Sequence, residues 1–561
     1  MDQWRGLISL GFVMGLSLIA GWAIYAFIIL PGGDFAWDEA AHALRGLTIA
    51  RDIQKGDWLG FWFDTYRQTY WPPLHSWLVG FSFLVTGPSV VSARSVSLIM
   101  YVINGPLMYL VTSRMNRQYG KLAGFTAALL FLTSPGIIPL ASQAMLEMPA
   151  LSCLILTFFL YFRVIDHNDS ILNHFLLGLS ITLTYFFRSN YGVLLFLTLF
   201  ITLLMNNRFN LRGIFSYKTF YTILPMLIIF SFWFAYPPKL VSTLQSMINK
   251  PFGAENPYGI EGFLFYPLSI YRSSGSAWIL LFFLASIIWA FQLRQDNKIR
   301  FLLVFVVLQF FVCEFHHDKV DRLIIPIMVP FFILAGNMLA HWSHRFLGAR
   351  FTLRFWLQLL LPGIMLIHAI TIFTTSLNPA PSTSCDDIIR HIASSARETH
   401  SALILGTQDL KCPSPPTIDW KLIIDENYFE VTEAGSVVPV EEIGKLEAIL
   451  LSDKGGSWLQ NSVLPVLRRA KQSGRSSLFL GLPPDSIYSI SQTGFDTFFQ
   501  NALSARSLDG VVVITSLNDL ARFPLEFIAP SLEKAGLRRI RFAVFKDADT
   551  RVDLYHRNES E

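Results

Sequence analysis

Up to about residue 376, the chain alternates long apolar runs with short polar segments. The first run, residues 7–30, has about 24 residues, and about 20 residues of apolar helix cross a hydrocarbon core. The polar sequence PGGDFAWDE follows without a cleavage site, so we predict a retained signal-anchor helix. Further runs predict membrane helices at about 89–112, 122–140, 149–165, 172–187, 191–206, 219–236, 275–292, 301–315, 323–341 and 355–376.

Basic residues are concentrated in every second segment between these runs. The positive-inside rule places those segments in the cytoplasm and the others outside. The run 73–86 has only about 14 residues, which favours an interfacial helix over a span. The pattern predicts eleven spans, a cytoplasmic N-terminus and an extracytoplasmic C-terminus. The residues that set this orientation are Arg114, Arg117, Lys121, Arg163, Arg208, Arg212, Lys218, Arg294, Lys298, Arg300, Arg345, Arg350 and Arg354.

The composition changes after residue 377, where the Pro/Ser-rich sequence SLNPAPSTSCDD predicts a linker. We predict a polytopic α-helical membrane domain over 1–376, with a first outer loop at 31–88, and an extracytoplasmic α/β domain over 377–561. The sequences RIRFAVF and RVDLYHR predict a closing β-hairpin. Predicted strands lie at 402–407, 421–425, 477–482 and 511–516, and predicted helices at 441–453, 457–473 and 523–536.

The composition agrees with a membrane protein. Apolar residues make up 52% of the 561 residues and charged residues 15%, against about 25% charged in soluble domains. This hydrophobicity excludes a disordered chain and argues against an ordinary soluble enzyme, since one core cannot bury so much apolar surface. The net charge of +4, without a basic block, argues against nucleic acid as a partner.

The four cysteines show no spacing typical of a zinc site. Cys153 and Cys313 lie in apolar runs and are predicted to be inert. Cys385 and Cys412 form a disulfide if the C-terminal domain is extracytoplasmic, and remain free thiols if it is cytosolic.

The acidic residues of interest fall in segments predicted to lie outside, which suggests a site at that face. Asp38, Glu39 and His42 follow the first span, in a sequence that predicts an amphipathic helix over 35–51. Glu147 stands at the start of a span. A carboxylate is also stabilised by the dipole at any helix N-terminus, so neither motif establishes a site alone.

Further motifs lie in the same outer segments. Pro72 and Pro73 give a stiff start to the interfacial helix. Arg188 lies between two spans, and Lys319 and Arg322 lie in the sequence HHDKVDR. Cations at helix ends are commonly snorkelling residues, which is the alternative explanation. The histidines and aspartates of HHDKVDR match no metal-ligand spacing, so we expect no metal site.

Together these motifs resemble the GT-C glycosyltransferases, in particular the dolichyl-phosphate-mannose protein mannosyltransferases and the bacterial lipid A aminoarabinose transferases. The resemblance covers about residues 1–376. Each motif is weak alone, and the specificity comes from their order and membrane side. The motifs are Asp38-Glu39, Gly56-Asp57-Trp58, Pro72-Pro73-Leu74, Glu147 before a span, and a basic segment entering a proline-containing span, with Lys319, Arg322, Pro326 and Pro330.

The resemblance implies transfer of a sugar from a polyprenyl-phosphate donor to an acceptor hydroxyl, with inversion at the anomeric carbon. Asp38 is the expected general base, and Glu39 is expected to orient or bind the acceptor. Phosphate leaves without a general acid, whereas a glycosidase needs one, so cations must hold the phosphate. The expected substrate-binding and donor-phosphate-binding residues are His42, Pro73, Glu147, Arg188, Lys319 and Arg322.

The implied partners are a lipid-linked sugar, a glycan, lipid or protein acceptor, and membrane lipid, with no cofactor and no nucleic acid. The implied location is the cell inner membrane. The family often has Tyr where this chain has His42, Asp where it has Glu147, and Tyr where it has Leu323, which leaves the sugar and acceptor open. A lipid-phosphate transferase attacking phosphorus, a transporter or flippase, and an inactive relative are the alternatives.

Overall fold

The computed structural model of the chain describes residues 2–35, 37–66, 68, 71–115, 119–166, 170–210, 216–235, 240, 258–316, 319–347, 367–368, 370–377, 386–397, 402–407, 417, 420, 477–482, 510–516, 525–545 and 550–557. These residues form two compact units. The first comprises Met1–Gly32 with Gly46–Ala380, and the second comprises Gly33–Arg45 with Pro381–Glu561. The domain boundary at 376/377 stays a prediction.

Where the structure describes them, the apolar runs of the sequence form helices, and most of the predicted run 355–376 lies outside the described residues. A π-helical turn, Tyr25–Ile29, extends the first helix. A 3-10 turn, Ile325–Ile327, lies directly before the helix Met328–Leu347. In chain order the helices up to residue 347 are α1 Asp2–Ile24, α2 Trp37–Lys55, α3 Trp58–Tyr66, α4 Leu74–Thr86, α5 Val90–Ser113, α6 Gly120–Thr133, α7 Ile138–Ala141, α8 Glu147–Ile165, α9 Ile171–Phe187, α10 Ser189–Asn206, α11 Tyr217–Trp233, α12 Ile260–Ser274, α13 Ala277–Gln292, α14 Asn297–Phe315, α15 Asp321–Ile324 and α16 Met328–Leu347.

Serine and aspartate side chains cap several of these helices. Ser89, Ser170, Ser216 and Ser276 each accept a hydrogen bond from the backbone N–H three residues later, at 3.0, 3.3, 3.2 and 3.3 Å. Asp296 accepts from two backbone N–H groups at the start of α14. Such caps satisfy donors that the first helical turn leaves free, so the local sequence sets where these helices begin.

Five of the described helical segments are long and apolar enough to cross a membrane, namely Ile8–Ile29, Val90–Ser113, Glu147–Ile165, Ser189–Asn206 and Asp321–Ser343. The chain is therefore a multi-pass membrane protein. A sixth candidate is the pair α12 and α13, which is bent by 110°. The apolar helices α4, α6 and α9 are shorter, with 13, 14 and 17 residues. The count of eleven spans stays a prediction.

The bend between α12 and α13 has a local cause. Gly275 adopts φ 78°, and its N–H donates to the carbonyls of Tyr271 and Arg272 at 3.2 and 3.1 Å. A left-handed glycine of this kind ends a helix because other residues avoid that backbone conformation. Ser276 then caps the next helix at once, so the chain changes direction within a few residues.

The segment Asp321–Ser343 lies at the centre of the first unit, with 94% of its apolar window buried. An apolar helix surrounded on all sides is expected at such a position. Phe332 meets the rings of Phe131 and Phe283 edge to face, with centroids 6.2 and 5.7 Å apart. Tyr161 of α8 stacks on Phe301 of α14 at 4.1 Å, so aromatic contacts join these helices as well.

The described residues of the second unit form a mixed five-stranded sheet in the order β2-β1-β3-β5-β4. The strands are β1 Ala402–Thr407, β2 Ser477–Leu482, β3 Gly510–Ser516, β4 Leu537–Phe545 and β5 Thr550–Arg557. Strand β1 pairs in parallel with β2 and β3, while β5 is antiparallel to β3 and β4. The helices α17, Asp386–Arg397, and α18, Leu525–Lys534, belong to the same unit.

The predicted strands at 402–407, 477–482 and 511–516 and the closing hairpin are confirmed. The predicted helix at 523–536 is observed as α18. The predicted strand at 421–425, the predicted helices at 441–453 and 457–473, and the pair Cys385 and Cys412 lie outside the described residues.

Helices α9 and α11 are in close contact at Gly178, where a Cβ atom would lie 1.7 Å from the carbonyl oxygen of Thr222. We expect Gly178→Ala to lower the free energy of unfolding by about 1–3 kcal/mol, because the helices must separate. Thermal unfolding in detergent measures the change. The matched control is Gly11→Ala in α1, where a Cβ meets nothing within 4 Å. Equal melting temperatures for the two variants would contradict this helix contact.

Candidate functional site

Glu147 begins α8 and its side chain is fully buried. The carboxylate lies in the first helical turn, where the helix dipole favours negative charge, and Pro149 is well suited to that turn because it lacks an N–H. A dipole alone does not compensate for burying a carboxylate, which requires positive partners or hydrogen bonds.

Arg188 supplies the nearest positive charge. It lies between α9 and α10, and one terminal guanidinium nitrogen donates a short hydrogen bond to Glu147 Oε1. Its guanidinium also lies over the ring of Tyr191, 5.4 Å from the ring centroid. Among the residues that the structure describes, Glu147 Oε2 and Arg188 Nε have no hydrogen-bond partner although both atoms are buried. The cluster therefore keeps one acceptor and one donor unused.

Arg322 is the second arginine at this carboxylate. Its Nε atom lies 3.8 Å from Glu147 Oε1, and its side chain is 30% exposed, against 12% for Arg188. The hydroxyl of Tyr191 donates to the backbone carbonyl of Arg322 at 3.1 Å. Residues from α8, α10, the α9–α10 junction and α15 thus meet at one end of the bundle. We call Glu147, Arg188 and Arg322 the arginine–glutamate cluster.

Lys319 lies near this cluster in sequence but has its own partners. Its ammonium group donates to the carbonyls of Cys313 and Glu314 at 3.3 and 2.8 Å, and Glu314 Oε2 lies 3.5 Å away. It also lies over the ring of Tyr266, 4.9 Å from the centroid, and the side chain is 2% exposed. Lys319 thus ties the segment before α15 to the end of α14.

Asp38, Glu39 and His42 occupy the first turns of α2. Asp38 is partly exposed, whereas Glu39 and His42 are buried. This stretch belongs to the second unit, in which Thr417 donates to the carbonyl of Phe35 at 2.9 Å. The ring of Phe35 also meets Trp420 edge to face at 5.0 Å. Thr417 and Trp420 therefore hold Phe35 in place, three residues before Asp38.

Pro73 precedes α4, and its carbonyl accepts hydrogen bonds from Ser76 Oγ at 2.8 Å and from the N–H of Trp77 at 3.1 Å. These bonds close the first turn of the helix, as a proline at a helix start allows. The described contacts of Pro73 are structural.

Two carboxyl groups in the first loop lie close together, although the sequence shows no sign of the pair. Asp52 at the end of α2 shares a hydrogen bond with Asp64 of α3. Burial, and next the charge of Asp64, raise the pKa of Asp52 to about 7. The two residues are twelve positions apart, and no residue pattern indicated that the α2–α3 turn brings them together.

Basic residues meet at the opposite ends of the helices. Lys298 at the start of α14 donates to Asp166 Oδ1 at 2.5 Å and to the carbonyl of Arg114 at 2.9 Å. Arg300 donates to Asn206 at the end of α10. These three basic residues, Lys298, Arg114 and Arg300, belong to the set predicted to face the cytoplasm.

Among the described residues, no group of three or more His, Cys, Asp or Glu could hold a metal ion.

Removing one member of the arginine–glutamate cluster should leave an uncompensated buried charge. We expect Arg188→Met to lower the free energy of unfolding by about 3 kcal/mol or more, measured by thermal or denaturant unfolding in detergent. Adding Glu147→Gln should recover part of that loss, with a coupling of about 1–3 kcal/mol.

The matched control for this cycle is Arg272→Met, because Arg272 forms an exposed ion pair with Asp321 at 2.6 Å. Such a pair contributes about 0–1 kcal/mol. Additive effects of Glu147→Gln and Arg188→Met, or a loss no larger than that of the control, would contradict the buried pair.

A family model described as dolichyl-phosphate-mannose-protein mannosyltransferase matches residues 71–236. The matched segment contains Pro73, Glu147 and Arg188. A search of the curated proteins finds no match to the chain.

The fold is similar to that of solved membrane proteins. ArnT from Cupriavidus metallidurans bound to undecaprenyl phosphate matches with 14% identity and a TM-score of 0.57, covering 98% of each chain. The apo state of the same protein matches with 12% identity and a TM-score of 0.58. That match covers 99% of the present chain and 98% of the ArnT chain.

The archaeal oligosaccharyltransferase AglB from Archaeoglobus fulgidus, in complex with an inhibitory peptide and a dolichol-phosphate, matches with 11% identity and a TM-score of 0.51. The match covers 91% of this chain and 70% of that chain. Identities this low show a common fold alone. The resemblance seen in the sequence is confirmed: the chain has the fold of the GT-C glycosyltransferases, and residues 71–236 match the dolichyl-phosphate-mannose-protein mannosyltransferase family.

Proposed function

We propose that this protein is an integral membrane glycosyltransferase that moves a sugar from a polyprenyl-phosphate donor to an acceptor hydroxyl. The observation that carries the proposal is the arginine–glutamate cluster, which lies at one end of apolar helices in a chain with a GT-C fold. A cation cluster at the end of a membrane helix bundle is where a lipid-linked anion can bind while its tail stays among the helices.

The donor phosphate binds to the guanidinium groups in this proposal. Arginine suits the role because its planar fork can bind two phosphate oxygens and remains charged. Arg322 is the more exposed of the two arginines, so it contacts the donor first, and Arg188 contributes its unused Nε–H. Glu147 holds both guanidinium groups in place. Lys319 supports the segment that carries Arg322, and Pro73 supports the start of α4.

A polyprenyl-phosphate donor is supported by similar folds. The similar ArnT structure is bound to undecaprenyl phosphate, and the similar AglB structure holds a dolichol-phosphate. The helices of this chain are apolar, so the tail of such a lipid can remain in the bilayer beside them while the phosphate binds. The matching family is described as using dolichyl-phosphate-mannose.

The acceptor is activated by Asp38 in this proposal. The acceptor O–H gives its proton to the Asp38 carboxylate while the oxygen forms a bond to the anomeric carbon. The bond from that carbon to the phosphate oxygen breaks, and the electron pair stays on the phosphate, where the arginines stabilise the charge. Attack from the opposite side inverts the anomeric configuration. Glu39 and His42, one turn apart on α2, orient the acceptor.

In this proposal, the active site lies at the extracytoplasmic face of the inner membrane. The basic cluster around Lys298 then lies on the cytoplasmic side, as the positive-inside rule requires. The N-terminus is cytoplasmic, and the C-terminal α/β domain over 377–561 lies outside.

The test is transfer of radiolabelled sugar from a panel of synthetic polyprenyl-phosphate sugars by the purified protein, with membrane-lipid extract as acceptor. We expect transfer by the wild type and a loss of at least about 100-fold in Asp38→Asn, because an amide cannot accept the proton. Arg322→Gln should lose activity by about 100-fold, since a group that stabilises the leaving phosphate is gone.

The matched control is Arg272→Gln, which removes an exposed arginine from the same unit and should keep its activity within about two-fold. Undiminished transfer by Asp38→Asn would assign the base elsewhere. Absence of transfer from every donor by folded wild-type protein would overturn the proposal.

A further inference from the structure

The helix that carries Arg322 is interrupted by a proline four residues later. In an α-helix the carbonyl of residue 322 accepts a hydrogen bond from the N–H of residue 326, but Pro326 has no N–H. The proline ring also clashes with the carbonyl four residues earlier. The α-helix accordingly ends at Ile324, and the 3-10 turn Ile325–Ile327 follows. The carbonyl of Arg322 therefore lacks its usual helical donor.

The hydroxyl of Tyr191 takes the place of that donor. Tyr191 is fully buried in α10, and its O–H donates to the Arg322 carbonyl at 3.1 Å. The same ring lies beneath the Arg188 guanidinium. One tyrosine thus contacts both of the arginines that approach Glu147.

The next carbonyl has a similar arrangement. In a 3-10 turn each N–H donates to the carbonyl three residues earlier. The N–H of Ile327 therefore does not donate to the carbonyl of Leu323, as it would in an α-helix. The Leu323 carbonyl accepts instead from Gln309 Nε2 at 2.6 Å and from Cys313 Sγ at 3.4 Å. Gln309 and Cys313 lie one turn apart on α14 and are both buried.

We propose that Tyr191 and Gln309 are positioning residues, which donate to the two carbonyls just before the Pro326 break and so fix Arg322 beside Glu147. Neither side chain needs to touch the substrate. A backbone fixed at residues 322 and 323 limits where the Arg322 guanidinium can reach, which prepares it for a phosphate before the lipid arrives. This inference rests on the proposed function, because it assigns Arg322 a phosphate to bind.

The test measures equilibrium binding of undecaprenyl phosphate, without a sugar, to the full-length protein in detergent. We expect Tyr191→Phe, which removes one hydroxyl, to weaken binding about three- to ten-fold. In an Arg322→Met background the same change should have no further effect, because Tyr191 acts through Arg322. Tyr185→Phe on α9 is the matched control, because Tyr185 is a buried tyrosine with ring contacts to Phe186 and Phe230.

Each result separates this inference from the proposed function. If wild-type protein does not bind undecaprenyl phosphate, the proposed function fails and the inference fails with it. If the wild type binds and Arg322→Met binds measurably more weakly, but Tyr191→Phe binds like the wild type or weakens binding equally in both backgrounds, the positioning role alone is overturned. Should Tyr191→Phe not fold, Gln309→Met takes its place in the same cycle, with the same expected result.

Discussion

A carboxylate buried at the end of a membrane helix needs positive partners, and Glu147 imposes this requirement on the rest of the structure. Arg188 meets it with a direct hydrogen bond and Arg322 with a longer ion pair. Each partner comes from a different part of the chain, so the cluster joins the ends of several helices. The same arrangement brings two guanidinium groups together at one end of the helices, and the proposed function assigns them the phosphate of a lipid donor.

The constraint extends to the backbone around Arg322. Pro326 prevents a regular helix there, and Tyr191 and Gln309 donate to the carbonyls of Arg322 and Leu323, just before the break. Lys319, which precedes α15, donates to two carbonyls at the end of α14 and so holds the same segment. In our proposal, a feature that weakens a helix sets the direction of the Arg322 side chain, as is common where structure serves a site rather than stability.

Much of this architecture follows from the sequence, because apolar runs and caps are local signals. The run 7–30 and the strands at 402–407 and 477–482 have the predicted positions. The partner of Glu147 could not be predicted, since it depends on which helix ends meet in space. The bend at Gly275 was also missed, because an isolated glycine does not reveal its φ angle before the fold is known.

The central claim is that the arginine–glutamate cluster holds the phosphate of a polyprenyl donor, and a cryo-EM structure with bound undecaprenyl phosphate tests it most directly. The account predicts phosphate density within hydrogen-bond distance of the Arg322 guanidinium, with Arg188 beside it and the lipid tail along the apolar helices. Phosphate density at another group of residues, with Arg322 still paired only within the protein, would contradict the account.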